Sequence, residues 1–170
     1  MARGSHACEI NREMAIRIAD TRDHGSIRDL FTQSAREGLL RNNDTGVDIE
    51  HLDEAYFDDD GASCFWVAET GSTVVGMIGV QSTLPNTGEI RRLRVDLEYR
   101  RRGYGTRLME TALDFCKTHG YLKVVLDIRV ERGPAITLFK KFGFTHTRTR
   151  DIDDKILLDF YLDLYGASEA

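Results

Sequence analysis

The chain is poor in the features that mark several large protein classes. No apolar run approaches the ~20 residues that a membrane-crossing helix requires, and the first residues lack the apolar core of a secretory signal. Cysteine is scarce: Cys8, Cys64 and Cys116 are odd in number, widely spaced and without a Cys-x-x-Cys pair. That excludes a disulfide framework or thiolate metal site as an expectation, and points to reduced thiols in a cytoplasmic protein without a metal. His24, His51, His119 and His146 show no ligand spacing either. No histidine motif lies near a cysteine to activate it, so a cysteine nucleophile is not expected. Internal repeats and low-complexity segments are missing. A net charge of −5 argues against a general nucleic-acid binder. Neither nucleic acid nor membrane is an expected partner.

What remains is an ordinary globular composition, 41% hydrophobic and 30% charged over 170 residues, enough for one domain with one core. Residues 1–13 are polar and aperiodic, and read as a flexible tail or cloning remnant ahead of a domain over 14–166. Alternation over 14–19 predicts a strand. Cap chemistry at 20–23 then leads into a helix with Ile27, Leu30 and Phe31 on one face. A break at 38–46 precedes a second short helix at 47–57. Segments 65–68 and 73–80 form a hairpin around 69–72, and the turn at 85–88 opens a strand at 89–95. A helix over 107–119 puts Leu108, Met109, Ala112, Phe115 and Cys116 on one face and ends at His119-Gly120. The strand at 124–128 alternates too little to be half exposed and is expected to be central. Gly133-Pro134 opens another helix, and strands at 144–148 and 156–164 follow. The order is β-α-α-β-β-β-α-β-α-β-β. The apolar last strand, expected at a sheet edge, suggests a possible homodimer.

One segment carries chemistry. Arg100-Arg101-Arg102-Gly103-Tyr104-Gly105-Thr106 joins the 89–95 strand to the 107–119 helix. Its glycines permit a tight turn and remove Cβ atoms that would hold an anion away. The helix start behind it offers unpaired N–H groups and the positive dipole end. This describes a phosphate or pyrophosphate cradle; a solvated basic loop is the plainer reading. A P-loop would need Lys-Ser or Lys-Thr closing a longer glycine loop, and a dinucleotide fingerprint would need glycine where Leu108 stands. A kinase-type loop would lead into a strand, not a helix. None of the three fits.

The segment resembles the acyl-CoA-binding motif of the GNAT (Gcn5-related N-acetyltransferase) superfamily, Arg/Gln-x-x-Gly-x-Gly/Ala, with Arg100, Gly103 and Gly105 in its fixed positions. Upstream, Glu89-Ile90-Arg91-Arg92-Leu93-Arg94-Val95 resembles the family's fourth strand. Downstream, Ala135-Ile136-x-Leu138-Phe139-x-Lys141-Phe142-Gly143-Phe144 resembles its last helix and the entry to its sixth strand. The resemblance implies a single-domain α/β fold: a mixed sheet of about seven strands flanked by about four helices, splayed between strands 4 and 5. It implies acetyl transfer from acetyl-CoA to a primary amine, of a small molecule or a peptide, by direct attack in a ternary complex. A non-catalytic acyl-CoA sensor on the same fold is the alternative.

The resemblance also assigns roles. Backbone groups near Leu93, Arg94 and Val95 would pair with the pantetheine arm, one N–H polarising the thioester carbonyl. Backbone N–H groups of Arg101, Arg102, Gly103, Tyr104, Gly105 and Thr106 would hold the pyrophosphate, with Arg100 and its neighbours adding charge. Glu89 stands at the spacing of the glutamate base of the histone-acetyltransferase branch; an exposed glutamate after the Gly88 turn is the other reading. Asp127 is a second candidate base, or a polar residue bonded to backbone at a strand end. Two positions depart from the pattern. Phe139 replaces a tyrosine that protonates the leaving thiolate, so the general acid is unassigned. Arg132 replaces a cofactor-contacting asparagine and could meet a phosphate instead. Acidic residues around 48–60 could attract a cationic acceptor or simply be solvated surface.

Overall fold

A computed structural model describes residues 14–40 and 43–165. The tail, Cys8 and the last five residues lie outside the described residues. Seven strands form one sheet in the order β1-β2-β3-β4-β5-β7-β6. They are β1 (Met14–Ile18), β2 (Cys64–Thr70), β3 (Thr73–Leu84), β4 (Thr87–Val95), β5 (Lys123–Arg129), β6 (Thr145–Ile152) and β7 (Lys155–Asp163). Every neighbouring pair is antiparallel except β4 and β5. The helices are α1 (His24–Arg36), α2 (Val47–Glu50), α3 (Leu52–Tyr56), α4 (Tyr104–His119) and α5 (Gly133–Lys141). The expected helix over 47–57 is therefore two short ones, broken at His51, where φ −117° and ψ 55° leave the helical region.

Two apolar clusters pack on opposite faces of the sheet. Ile27, Leu30, Ile49, Leu52 and Tyr56 bring α1–α3 onto Phe65, Val67 and Met77. Leu108, Met109, Ala112 and Cys116 of α4, with Phe139 of α5, cover Ile90, Val124, Leu126 and Phe160. Each fully buried Val, Leu, Ile, Phe or Met among them stabilises by about 1.5–3 kcal/mol relative to exposure. Gly88 permits the close approach of α4: a Cβ there would sit 3.0 Å from the Cys116 sulfur. Burial pushes the Cys64 and Cys116 thiols up to about 11 and about 12, so neither supplies a thiolate near neutrality.

The last strand is not at an edge. β7 hydrogen-bonds to β5 on one side and β6 on the other, because the β6–β7 hairpin folds its second strand inward. Leu157 and Phe160 are buried on opposite faces of β7, which explains its apolar composition. β6, with mostly exposed polar and charged side chains, is the edge. The exposed-edge argument for a homodimer therefore fails.

Candidate active site

The parallel pairing of β4 and β5 is short. It runs through Thr87–Lys123, Gly88–Val124 and Glu89–Val125 and then stops. The cause lies in β4. Between the pairs Gly79–Arg91 and Met77–Arg94, two residues of β4 oppose one of β3, and Arg92 takes a left-handed φ of 61°. This is a β-bulge, which bends the strand and raises its twist. Beyond Glu89 the two strands part, leaving a backbone edge of β4 unpaired by any strand. Two arginines occupy its carbonyls. Arg132 Nη2 donates to the Leu93 carbonyl at 3.0 Å, and Arg100 Nε donates to the Val95 carbonyl at 3.2 Å.

A broad groove continues from this gap to the start of α4, with Leu93, Arg94, Val95, Gly103, Gly105 and Thr106 among its walls. Gly103 is the N-cap at φ 87°, a conformation that a side chain would strain, and no side chain caps the helix. Arg107 N–H donates to the Gly103 carbonyl. The N–H groups of Tyr104, Gly105 and Thr106 thus precede the helical ladder. The Tyr104 side chain is buried against Tyr99, with 6.3 Å between ring centroids, which leaves only its backbone to face the groove. The three consecutive arginines diverge. Arg100 turns back to Val95 and Glu37, Arg102 lies over the Tyr99 ring, and Arg101 lines the groove with Lys141.

On the inner side of the gap lies a smaller cavity of about 110 Å³, bounded by Glu89, Asp127, Arg129, Arg132 and Phe139 among others. Glu89 is half-buried at the last paired position of β4 and also lines an open groove over β5–β7. No hydrogen bond or ion pair engages its carboxylate among the described residues. Asp127, one strand over, meets Arg150 at 3.2 Å, and Arg150 also holds Asp159 at 2.7 Å. The structure therefore brings both candidate acids to one place, with Asp127 in an ion-pair cluster. No tyrosine lines the cavity that holds Phe139, among the described residues.

Sequence reasoning missed an arginine network that builds the other wall. Arg92 reaches across to the α1–α2 loop and α2, donating to Asp44 at 2.5 Å and to Asp48 at 2.5 Å, and stacks over Phe31 at 5.1 Å. Tyr56 donates to the same Asp48 at 2.6 Å. Burial pushes both carboxyls up, but the hydrogen bonds and charge of Arg92, joined by the Gly46 N–H at Asp44 and the Tyr56 hydroxyl at Asp48, together outweigh it and hold both below the usual carboxylate range. Arg94 binds Glu37 and Gln33, while Arg129 donates to the carbonyls of Gly38 and Leu40. Charged side chains on β4 and β5 thus fix the end of α1 and the loop after it. The signal was visible only as an unusual density of arginine in residues 91–94. The partners of Arg92 and Arg94 lie more than 40 residues away in sequence.

Comparison with known proteins decides the family. A model of the "Acetyltransferase (GNAT) family" matches residues 16–144. The chain belongs to this family. Among curated GNAT relatives, human N-acetyltransferase 8 is 36% identical over 106 residues, covering 59% of this chain and 46% of that protein. Zebrafish (Danio rerio) N-acetylaspartate synthetase is 33% identical over 112 residues, 65% of this chain and 40% of that protein. The chain thus spans less than half the length of either. Among solved structures, a GCN5-related N-acetyltransferase from Kribbella flavida superposes with a TM-score of 0.79 at 18% identity, covering 91% of this chain and 99% of that one. A putative acetyltransferase from Salmonella typhimurium, solved with its cofactor acetyl-CoA, gives 0.74 at 20% identity, with 89% and 94% covered. These two likenesses concern the GNAT fold. Among the described residues no helix is long and apolar enough to cross a membrane.

Proposed function

We propose that this protein transfers an acetyl group from acetyl-CoA to the primary amine of a small molecule, by direct attack in a ternary complex. One observation carries the reading: β4 and β5 part immediately beyond a free carboxylate, Glu89, and the gap opens onto a groove that ends at an uncapped helix start. The Gly103–Thr106 N–H groups suit a pyrophosphate, and the open edge of β4 at Leu93–Val95 suits a pantetheine arm. Glu89 removes the proton that an amine carries, since free amines have a pKa of about 10. Asp127, engaged by Arg150, orients the cavity wall and is the weaker candidate base.

The size of the inner cavity favours a small acceptor, or the end of a long one. The acidic residues around 48–60 do not line the inner cavity: Asp48 shares Arg92 with Asp44, and Glu50, Asp53, Glu54 and residues 58–60 are exposed outside it. Free amino acids are therefore included in the acceptor set, as the name N-acetylaspartate synthetase of a relative also suggests.

Release of CoA from acetyl-CoA, measured across amino acids, small amines, polyamines and peptides, tests the reading. Acetyl-CoA binding without turnover on any acceptor would favour a sensor, a reading that Phe139 in place of tyrosine supports. The donor site has its own test. Gly105→Glu places a carboxylate at the α4 start and should weaken CoA binding about 100-fold, the loss of roughly two charge-assisted hydrogen bonds. Calorimetry that finds the affinity unchanged would move the pyrophosphate elsewhere.

A further inference from the structure

Two positions in the inner cavity are unusual together. Phe139 is buried there with no proton to give, and Arg132 faces the same cavity with no carboxylate within ion-pair distance among the described residues. Arg132 is the N-cap residue of α5 but caps nothing with its side chain. Its guanidinium instead crosses the gap to the Leu93 carbonyl, on the strand edge where the thioester end of a pantetheine arm would lie. It also lines the outer groove, and so stands at the neck between the two spaces. The charges around it are mainly of its own sign. Arg94 and Arg100 approach it, with Glu37 as the one carboxylate they share. Glu131 and Lys141 face the outer groove, and Glu89 and Asp127 the inner cavity. Burial, then Arg94 and Arg100, pull the Arg132 pKa down to about 10, which leaves it cationic at neutral pH. A guanidinium so placed is short of an anion.

We propose that Arg132 is a catalytic residue that stabilises the departing thiolate of CoA, in place of the proton donor that Phe139 cannot supply. The inference rests on the acetyl-transfer reading above. In the step, the acceptor nitrogen forms a bond to the acetyl carbon and loses its proton to Glu89 or water. The carbon–sulfur bond breaks with its electron pair remaining on sulfur. Arg132 moves no proton; its guanidinium holds the sulfur anion until CoA leaves and is protonated from solvent. A free thiol has a pKa near 8.5, so an adjacent cation can keep the thiolate at neutral pH. In this structure the same guanidinium satisfies the Leu93 carbonyl. Binding of the arm gives that carbonyl an amide donor and frees Arg132 to turn toward sulfur.

The test compares CoA with desulfo-CoA, which lacks the thiol, by calorimetry on the whole protein between pH 6.5 and pH 9.5, values that bracket the free-thiol pKa of about 8.5. In the unmodified protein the preference for CoA should grow with pH and place the bound thiol at least one unit, tenfold, below the free value. Arg132→Gln should bind desulfo-CoA but lose that preference, and Arg132→Lys should keep much of it. Turnover should fall about 100-fold in Arg132→Gln, and adding Phe139→Tyr to that variant should restore part of it. A bound thiol with an unshifted pKa in the unmodified protein, or the same shift in Arg132→Gln, overturns the proposal. Failure of the unmodified protein to bind either compound overturns the donor reading itself.

Discussion

Arg92→Ala should destabilise the fold by about 3–5 kcal/mol, a large part of the 5–15 kcal/mol available to a domain of this size. Its side chain is 8% exposed, between Asp44 at 9% and Asp48 at 7%. Removing it leaves two nearly buried carboxylates without a counter-charge, and burial alone drives their pKa values up. Arg92→Lys should recover less than half of the loss, because a single ammonium cannot hold two carboxylates through paired hydrogen bonds. The pH dependence has a defined sign. Both acids titrate below their unfolded value of about 3.9 in the intact protein, so their contribution is present above that pH and lost as pH falls through the folded values. The difference between the parent and Arg92→Ala should therefore narrow as pH falls, first as the variant's unpaired acids take up protons above their ordinary value of about 3.9, then as the parent's do below it. Urea denaturation at pH 7 and pH 3.5 measures both effects. A loss under 1 kcal/mol at pH 7 would mean that the loop and bulge are not held by this cluster.

Glu89→Gln should lower kcat about 10²- to 10⁴-fold while CoA affinity stays within about twofold. The glutamine keeps the size and half-buried position of the side chain but cannot accept a proton. Asp127→Asn should cost less, since its carboxylate sits in a cluster with Arg150 and Asp159. If Glu89→Gln turns over at the parent rate and Asp127→Asn does not, the two roles are exchanged.

The β4–turn–α4 unit was largely legible because its signals are local. Gly103 encodes the turn into a helix start through its own backbone freedom. The strand before it and the helix after it announce themselves by alternation and by an apolar stripe. The break between α2 and α3 was not legible, because no proline or glycine marks His51. The place of β7 was misread, since chain order does not state which strand of a hairpin folds inward. The roles of Arg92, Arg94 and Arg129 could not be read at all. Each ends on a partner more than 40 residues away, and an arginine in a strand looks the same whether it is solvated or buried against an aspartate.

The stretch Arg100–Thr106, with its neighbours, thus determined by sequence alone that a glycine turn and a helix start follow the fourth strand, since turn and helix-start chemistry depend on adjacent residues. Only the tertiary structure decided what the arginines do. Of the cluster at 100–102, one caps a strand edge, one stacks on a tyrosine and one lines the groove. Arg132, 29 residues beyond Gly103, stands at the gap with no acid within ion-pair distance among the described residues. Charge is encoded residue by residue, but which charges find partners depends on the packing of distant segments.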